Sequence, residues 1–200
     1  MHSVLAGGVH VVVARLDAGA QAQADLAACL APHERLRAQR YVAERDRRRF
    51  IVARARLREL LAERVGVPAE AVDIVAGRNG KPALGPRCAG SGVCFNLARC
   101  EDLAIYAFAG REVGIDLEKV RELPEADAIA ERICAPAELG CYRALAAPEK
   151  LAGFFALWTR KEALAKARGE GLSRDLREID ASAVRNFHPV PGFIAAACLE

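Results

Sequence analysis

Apolar positions along this 200-residue chain recur with two periods, about 3.6 and 2. Residues 9–14 form a short β-branched run and predict a strand, and the Ala-rich stretch 20–30 predicts a helix. From about 46 to 64, Phe50, Ala53, Leu57, Leu60 and Leu61 repeat at helical spacing. That predicts a long helix packing one face. The run Gly66-Val67-Pro68 ends it. Residues 72–76 predict a strand, and Gly77 to Pro82 a turn. Three alternating apolar runs follow, at 93–97, 103–109 and 113–117. Gly110, between the last two, predicts that they pair as a hairpin. Helices are expected over 126–133, 137–145 and 149–168, with Gly169 and Gly171 capping the last. Residues 178–184 and 193–198 are expected to close as strands. No linker composition marks a boundary, but a break between two lobes is expected between residues 100 and 110.

Composition adds a compartment and an asymmetry. The seven cysteines are odd in number and never spaced Cys-x-x-Cys, which fits neither a zinc site nor a disulfide framework. Reduced thiols in a cytoplasm are expected. The apolar N-terminal run is broken by His10 and Arg15, so neither export nor a membrane span is expected. Net charge is only +3, yet residues 35–64 hold eleven arginines against four carboxylates, a net of +7. The remainder is left with −4. Such a basic segment reads as a solvated face, an anion cradle or a nucleic-acid face. Few aromatics interleave with the arginines, which leaves base stacking little support. Lysine is rare, at 81, 119, 150, 161 and 166 only.

The sharpest chemistry lies in Gly114-Ile115-Asp116-Leu117-Glu118. On a strand, Asp116 and Glu118 share one face while Ile115 and Leu117 enter the core. Two adjacent carboxylates repel unless a cation bridges them, and oxygen ligands suit Mg²⁺. A solvent-facing strand gives the same pattern without a metal. In Trp158-Thr159-Arg160-Lys161-Glu162-Ala163-Leu164-Ala165-Lys166, the side chains of Trp158, Glu162 and Lys166 lie along one helix face. Glu162 is thus a candidate third carboxylate with an ammonium beside it, an arrangement suited to a diphosphate; an ordinary surface pair is the plainer alternative. No Ser-His-Asp set and no dinucleotide-binding glycine pattern is present.

Taken in order, the Arg-rich helix, Gly80-Lys81-Pro82, Phe95-Asn96-Leu97, Gly114 to Glu118, Trp158 to Lys166 and Gly169-Glu170-Gly171-Leu172 resemble the 4′-phosphopantetheinyl transferases, specifically the larger monomeric surfactin-synthetase-activating type. The resemblance implies an α+β fold of two similar lobes with pseudo-twofold symmetry, residues 1–105 and 106–200, the second carrying the metal site. It implies transfer of the 4′-phosphopantetheine arm of coenzyme A to a serine of an apo acyl or peptidyl carrier protein, with release of 3′,5′-ADP. By motif, Asp116, Glu118 and Glu162 would hold Mg²⁺, or Mn²⁺ in its place. Lys161 and Lys166 would contact the diphosphate, and Lys81 and Pro82 would border the adenine. Arg37 and Arg49 would meet the 3′-phosphate, and Asn96 belongs to the same coenzyme-binding set. Glu138 falls in the stretch from which a general base has been proposed, beside Glu162 and Lys166 as catalytic residues. Where the family carries Ser-His-Ser, this chain has Ala98-Arg99-Cys100. Ala98 gives up a hydroxyl donor, whereas Arg99 can still meet a phosphate. The expected protein is a cytoplasmic monomer engaging neither nucleic acid nor membrane. An inactive relative that only binds coenzyme A or a carrier protein, and a nucleic-acid binder using the Arg-rich helix, are the alternatives.

Overall fold

The computed structural model describes residues 1–6, 8–170 and 175–200. Gly171 and Leu172, part of the last sequence motif, lie outside the described residues.

Two antiparallel sheets stack face to face, each with one long helix on its outer side. The first sheet contains β1 (His2–Ala6), β2 (Val9–Arg15), β5 (Cys94–Cys100) and β6 (Leu103–Ala109), in the order β1-β2-β6-β5. Alternation sends Val12, Phe95, Tyr106 and Phe108 to one face, where they pack on Phe50, Ala53, Leu57 and Leu61 of α3 (Glu44–Val65). The Tyr106 hydroxyl donates to Ala53 O at 2.9 Å and ties helix to sheet. Val11, Val13, Ala98, Ile105 and Ala107 face the other way, onto Ile115, Leu117, Ala195 and Ala197 of the second sheet. That sheet contains β7 (Val113–Lys119), β8 (Arg185–Phe187) and β9 (Phe193–Leu199), ordered β7-β9-β8. Helix α6 (Lys150–Arg168) covers its outer face. The shorter helices are α1 (Ala20–Ala28), α2 (Pro32–Gln39), α4 (Ala126–Ile133) and α5 (Pro136–Arg143). A small hairpin, β3 (Ile74–Ala76) with β4 (Pro82–Leu84), stands beside the first sheet.

Three sequence expectations change. The hairpin partner of β6 is β5, not β7. As an inner strand, β6 has both edges taken by β2 and β5, so β7 pairs instead with β9 across the second sheet. Residues 110–112 carry the chain from one sheet to the other, and β6 lies wholly in the first. Residues 178–184 form no strand. Asp175 accepts from Arg177 N–H and Asp180 from Ser182 N–H, and these local turns compete with a ladder. Ile179 and Ala181 are nevertheless buried, so the apolar spacing is real. Lastly, α2 was not anticipated. Pro32 opens it, and the Glu34 carboxylate accepts from Ala31 N–H at 2.9 Å.

Among the described residues, no helix is long and apolar enough to cross a membrane. All seven cysteines are free. Burial raises the thiols of Cys29, Cys94, Cys100 and Cys134, and that of Cys198 to about 11.

Candidate functional site

Strand β7 alternates as its sequence requires. Val113, Ile115 and Leu117 enter the core between the sheets. Gly114 and Asp116 lie on the face covered by α6. Gly114 makes the approach close: a Cβ there would stand 1.9 Å from Ala163 O and 2.4 Å from Ala167 N. The helix backbone therefore rests directly on the strand, which sets Glu162 and Lys166 over Asp116. Lys166 Nζ donates to Asp116 Oδ1 at 2.5 Å. Helix α6 ends one turn later at Gly169, whose φ of 64° is the left-handed value glycine adopts freely.

Asp116 and Glu162 are both buried. Asp116 Oδ2 and Glu162 Oε1 accept no hydrogen bond among the described residues. Burial raises the Glu162 carboxyl; Lys166 opposes the rise, and the charges of Asp116 and Glu118 add to it. Glu118 is raised for like reasons, first by burial and further by Asp116, against a bond from Arg121 and the charge of Lys166. Three carboxylates thus repel one another beside a single lysine, with two buried acceptor atoms unused. Such a donor set fits a divalent cation. Among the described residues, no three His, Cys, Asp or Glu side chains converge tightly enough to cage an ion alone. A Mg²⁺ held here would draw its other oxygens from water and phosphate, as that ion commonly does.

A cavity of about 370 Å³ lies on the other side of β5. Its wall includes Arg37, Arg54 and Arg99, the ring of Phe50, and Gly80 and Pro82 of the small hairpin. The guanidinium carbons of Arg37 and Arg99 stand 5.5 and 5.7 Å from the Phe50 ring centre. Strand alternation explains the division of labour along β5. Leu97 and Arg99 face this cavity, while Asn96 faces the second sheet and accepts from Ile115 N–H at 3.1 Å through Oδ1. Asn96 is thereby a bridge to the residue beside Asp116.

The remaining sequence candidates are placed as follows. Lys161 is fully buried and points away from the carboxylates. Its Nζ donates to Leu176 O at 2.9 Å and Ile179 O at 2.7 Å, and pairs with Glu138 Oε2 at 2.8 Å. A helix turns about 100° per residue, so Lys161 and its neighbour Glu162 face different surroundings. Neither the expected diphosphate contact of Lys161 nor the expected base role of Glu138 fits this placement, since Glu138 also accepts from Ala135 N–H. Lys81 Nζ donates to Glu112, Val113 O and Ala167 O, leaving Pro82 to line the cavity. Arg49 is absent from the cavity wall; its charge acts on Asp102.

The Arg-rich helix spends much of its charge internally. Arg58 is 1% exposed, donates to Glu34 Oε2 at 2.6 Å, and also to Ala69 O and Val72 O. Arg54 pairs with the other Glu34 oxygen, Arg47 and Arg48 with Glu44, and Arg56 with Glu59. Arg35, Arg37, Arg40, Arg45 and Arg48 remain exposed. Sequence reading missed Arg54 as a wall residue and Gly114 as the contact point. A glycine inside a strand marks close backbone approach, so that second signal was available.

Fold and site together define an α+β protein of two stacked sheets, with a buried acidic cluster at a strand–helix contact and an arginine-walled cavity across the adjoining strand. This chain belongs to the 4′-phosphopantetheinyl transferase superfamily, whose profile matches residues 112–190; the N-terminal 4′-phosphopantetheinyl transferase family matches residues 19–110. The two matches meet where the chain passes between sheets. The 4′-phosphopantetheinyl transferase HetI of Nostoc sp. is 38% identical over 179 residues, covering 89% of this chain and 75% of that protein. The 4′-phosphopantetheinyl transferase psf-1 of Bacillus pumilus is 30% identical over 74% of this chain and 61% of its own length. Gsp of Aneurinibacillus migulanus is 28% identical over 66% of this chain and 53% of its own. The chain thus spans three quarters of the first relative and less of the others.

Proposed function

We propose that this protein transfers the 4′-phosphopantetheine arm of coenzyme A to a serine hydroxyl of an apo acyl or peptidyl carrier protein, releasing 3′,5′-ADP. The observation that carries the reading is the buried pair Asp116 and Glu162, each with an unused oxygen, beside Lys166. Family membership supplies the substrates. Asp116, Glu118 and Glu162 would hold Mg²⁺, or Mn²⁺. When bound, that ion supplies charge neutralisation to the diphosphate.

The chain's own groups do the rest. Arg37, Arg54 and Arg99 hold the phosphorylated nucleoside end in the cavity, with Phe50 and Pro82 as apolar walls. Lys166 adds positive charge on the face shared with the carboxylates. The serine oxygen attacks the β-phosphorus, one P–O bond forms, and the bond to the bridging oxygen breaks with its electron pair leaving on 3′,5′-ADP. As the P–O bond forms, the serine hydroxyl gives up its proton to solvent, while Glu162 stays with Asp116 and Glu118 in the donor set for the cation. Carrier domains of fatty-acid, polyketide or nonribosomal-peptide synthesis are the proposed acceptors. Because one chain supplies both halves of the site, the reading is of a monomer.

Mixing the protein with an apo carrier, coenzyme A and Mg²⁺, then weighing the carrier, tests this. One added arm per carrier is expected, and none with Asp116→Ala, whose circular dichroism stays native because Asp116 is not a core hydrophobe. Bound coenzyme A with no mass gain on any of several carriers would instead support a binding module.

A further inference from the structure

The hairpin that walls the arginine cavity also grips the helix that carries the carboxylates. Strands β3 and β4 meet at the turn Arg78–Gly80, closed by Gly77 N–H donating to Lys81 O at 2.7 Å. Val75, Ala76, Gly80 and Pro82 of this hairpin line the cavity. Two of its polar side chains, those of Asn79 and Lys81, go elsewhere. Asn79 Nδ2 donates to Gly169 O at 2.8 Å. Lys81 Nζ donates to Ala167 O at 3.2 Å, Val113 O at 3.0 Å and Glu112 Oε2 at 2.6 Å.

These acceptors are well chosen. Ala167 O and Gly169 O lie at the end of α6, where carbonyls have no partner inside the helix and a cation is favoured by the helix dipole. Val113 opens β7, three residues before Asp116. One ammonium therefore touches both elements that carry the carboxylates while seated on the hairpin that walls the cavity. Asn79 holds a left-handed φ of 51°, a conformation Asn tolerates better than most residues, and its amide doubles the grip.

We propose that Asn79 and Lys81 form a latch that fixes the separation between the arginine cavity and the carboxylate cluster, and so act as positioning residues for a substrate that occupies both at once. This rests on the coenzyme A reading above. A substrate with its nucleotide end in the cavity and its diphosphate at the carboxylates binds as a linked pair. Its affinity exceeds that of either end only while the two subsites keep one spacing. Loosening the latch leaves each subsite intact and removes the advantage of linkage.

The test compares the whole substrate with its parts. Lys81→Met keeps the aliphatic stem and deletes the charge. Asn79→Gly deletes only the amide, since glycine accepts the left-handed backbone. Calorimetry would measure binding of coenzyme A, adenosine 3′-monophosphate and Mg²⁺, each alone. Coenzyme A affinity is expected to fall at least about tenfold in both variants, with kcat falling too, while the two smaller probes bind as to wild type. Unchanged coenzyme A affinity in both variants overturns the latch. So does an equal loss for all three probes, which is what general destabilisation gives. Asn79→Gly decides the matter alone if Lys81→Met does not fold. A wild-type protein that binds coenzyme A yet transfers no arm defeats the functional reading, and the affinity comparison still judges the latch.

Discussion

Glu34 shows how a single residue can redirect a charged segment. Burial pushes its carboxyl up, but the bond from Arg58, the charge and bond of Arg54 and the Ala31 N–H outweigh that and hold it below the ordinary 4.5. A depressed folded-state value stabilises the protein above 4.5, and the benefit is lost as pH falls through the folded value. Urea midpoints measured down the acid range should therefore show a decline that Glu34→Gln flattens. At neutral pH, Glu34→Ala should cost about 3–5 kcal/mol, because it leaves Arg58 charged and unpaired in the interior. Nothing in the sequence announced this pairing, since Glu34 lies 20 and 24 positions before its partners. Lys161 was opaque for the same reason: its acceptors come 15 and 18 residues later. Asp116 was legible because strand alternation is local.

At the scale of elements, the contact of α6 with β7 governs the chemistry. No side chain separates them at Gly114. Gly114→Ala forces the helix backbone to move, at an expected cost of about 1–3 kcal/mol from overpacking. The larger loss should be catalytic. Displacing Glu162 and Lys166 by about 1 Å should lower kcat about 100-fold, measurable by carrier loading beside a urea melt. Most elements were readable from periodicity, because helix and strand faces repeat within a few residues. Pairing was not. The run at 113–117 alternates equally well beside β6 or beside β9, and only the competition for the edges of β6 decides between them.

For the whole molecule, the near-neutral sum conceals a division between an arginine-walled cavity and an acidic cluster on opposite sides of β5. The KM for coenzyme A should rise with ionic strength in the wild type and rise less steeply in Arg99→Ala, because that variant has one phosphate contact fewer to screen. Equal slopes in steady-state assays would count against Arg99 as a phosphate contact. The stacking of sheet on sheet is not legible in the sequence, because it depends on which side of each strand meets another layer.

The order β7-β9-β8 also has a consequence in time. During synthesis the first sheet has all its strands once residue 109 is made. Strand β7 follows at once, but its partner β9 begins roughly 70 residues later. At ribosomal speeds of about 5–20 residues per second, the strand bearing Asp116 waits about 4–14 s for its neighbour. Through that interval the finished first sheet is the surface available to shelter Ile115 and Leu117. The N-terminal half then serves as the mould on which the acidic site is cast.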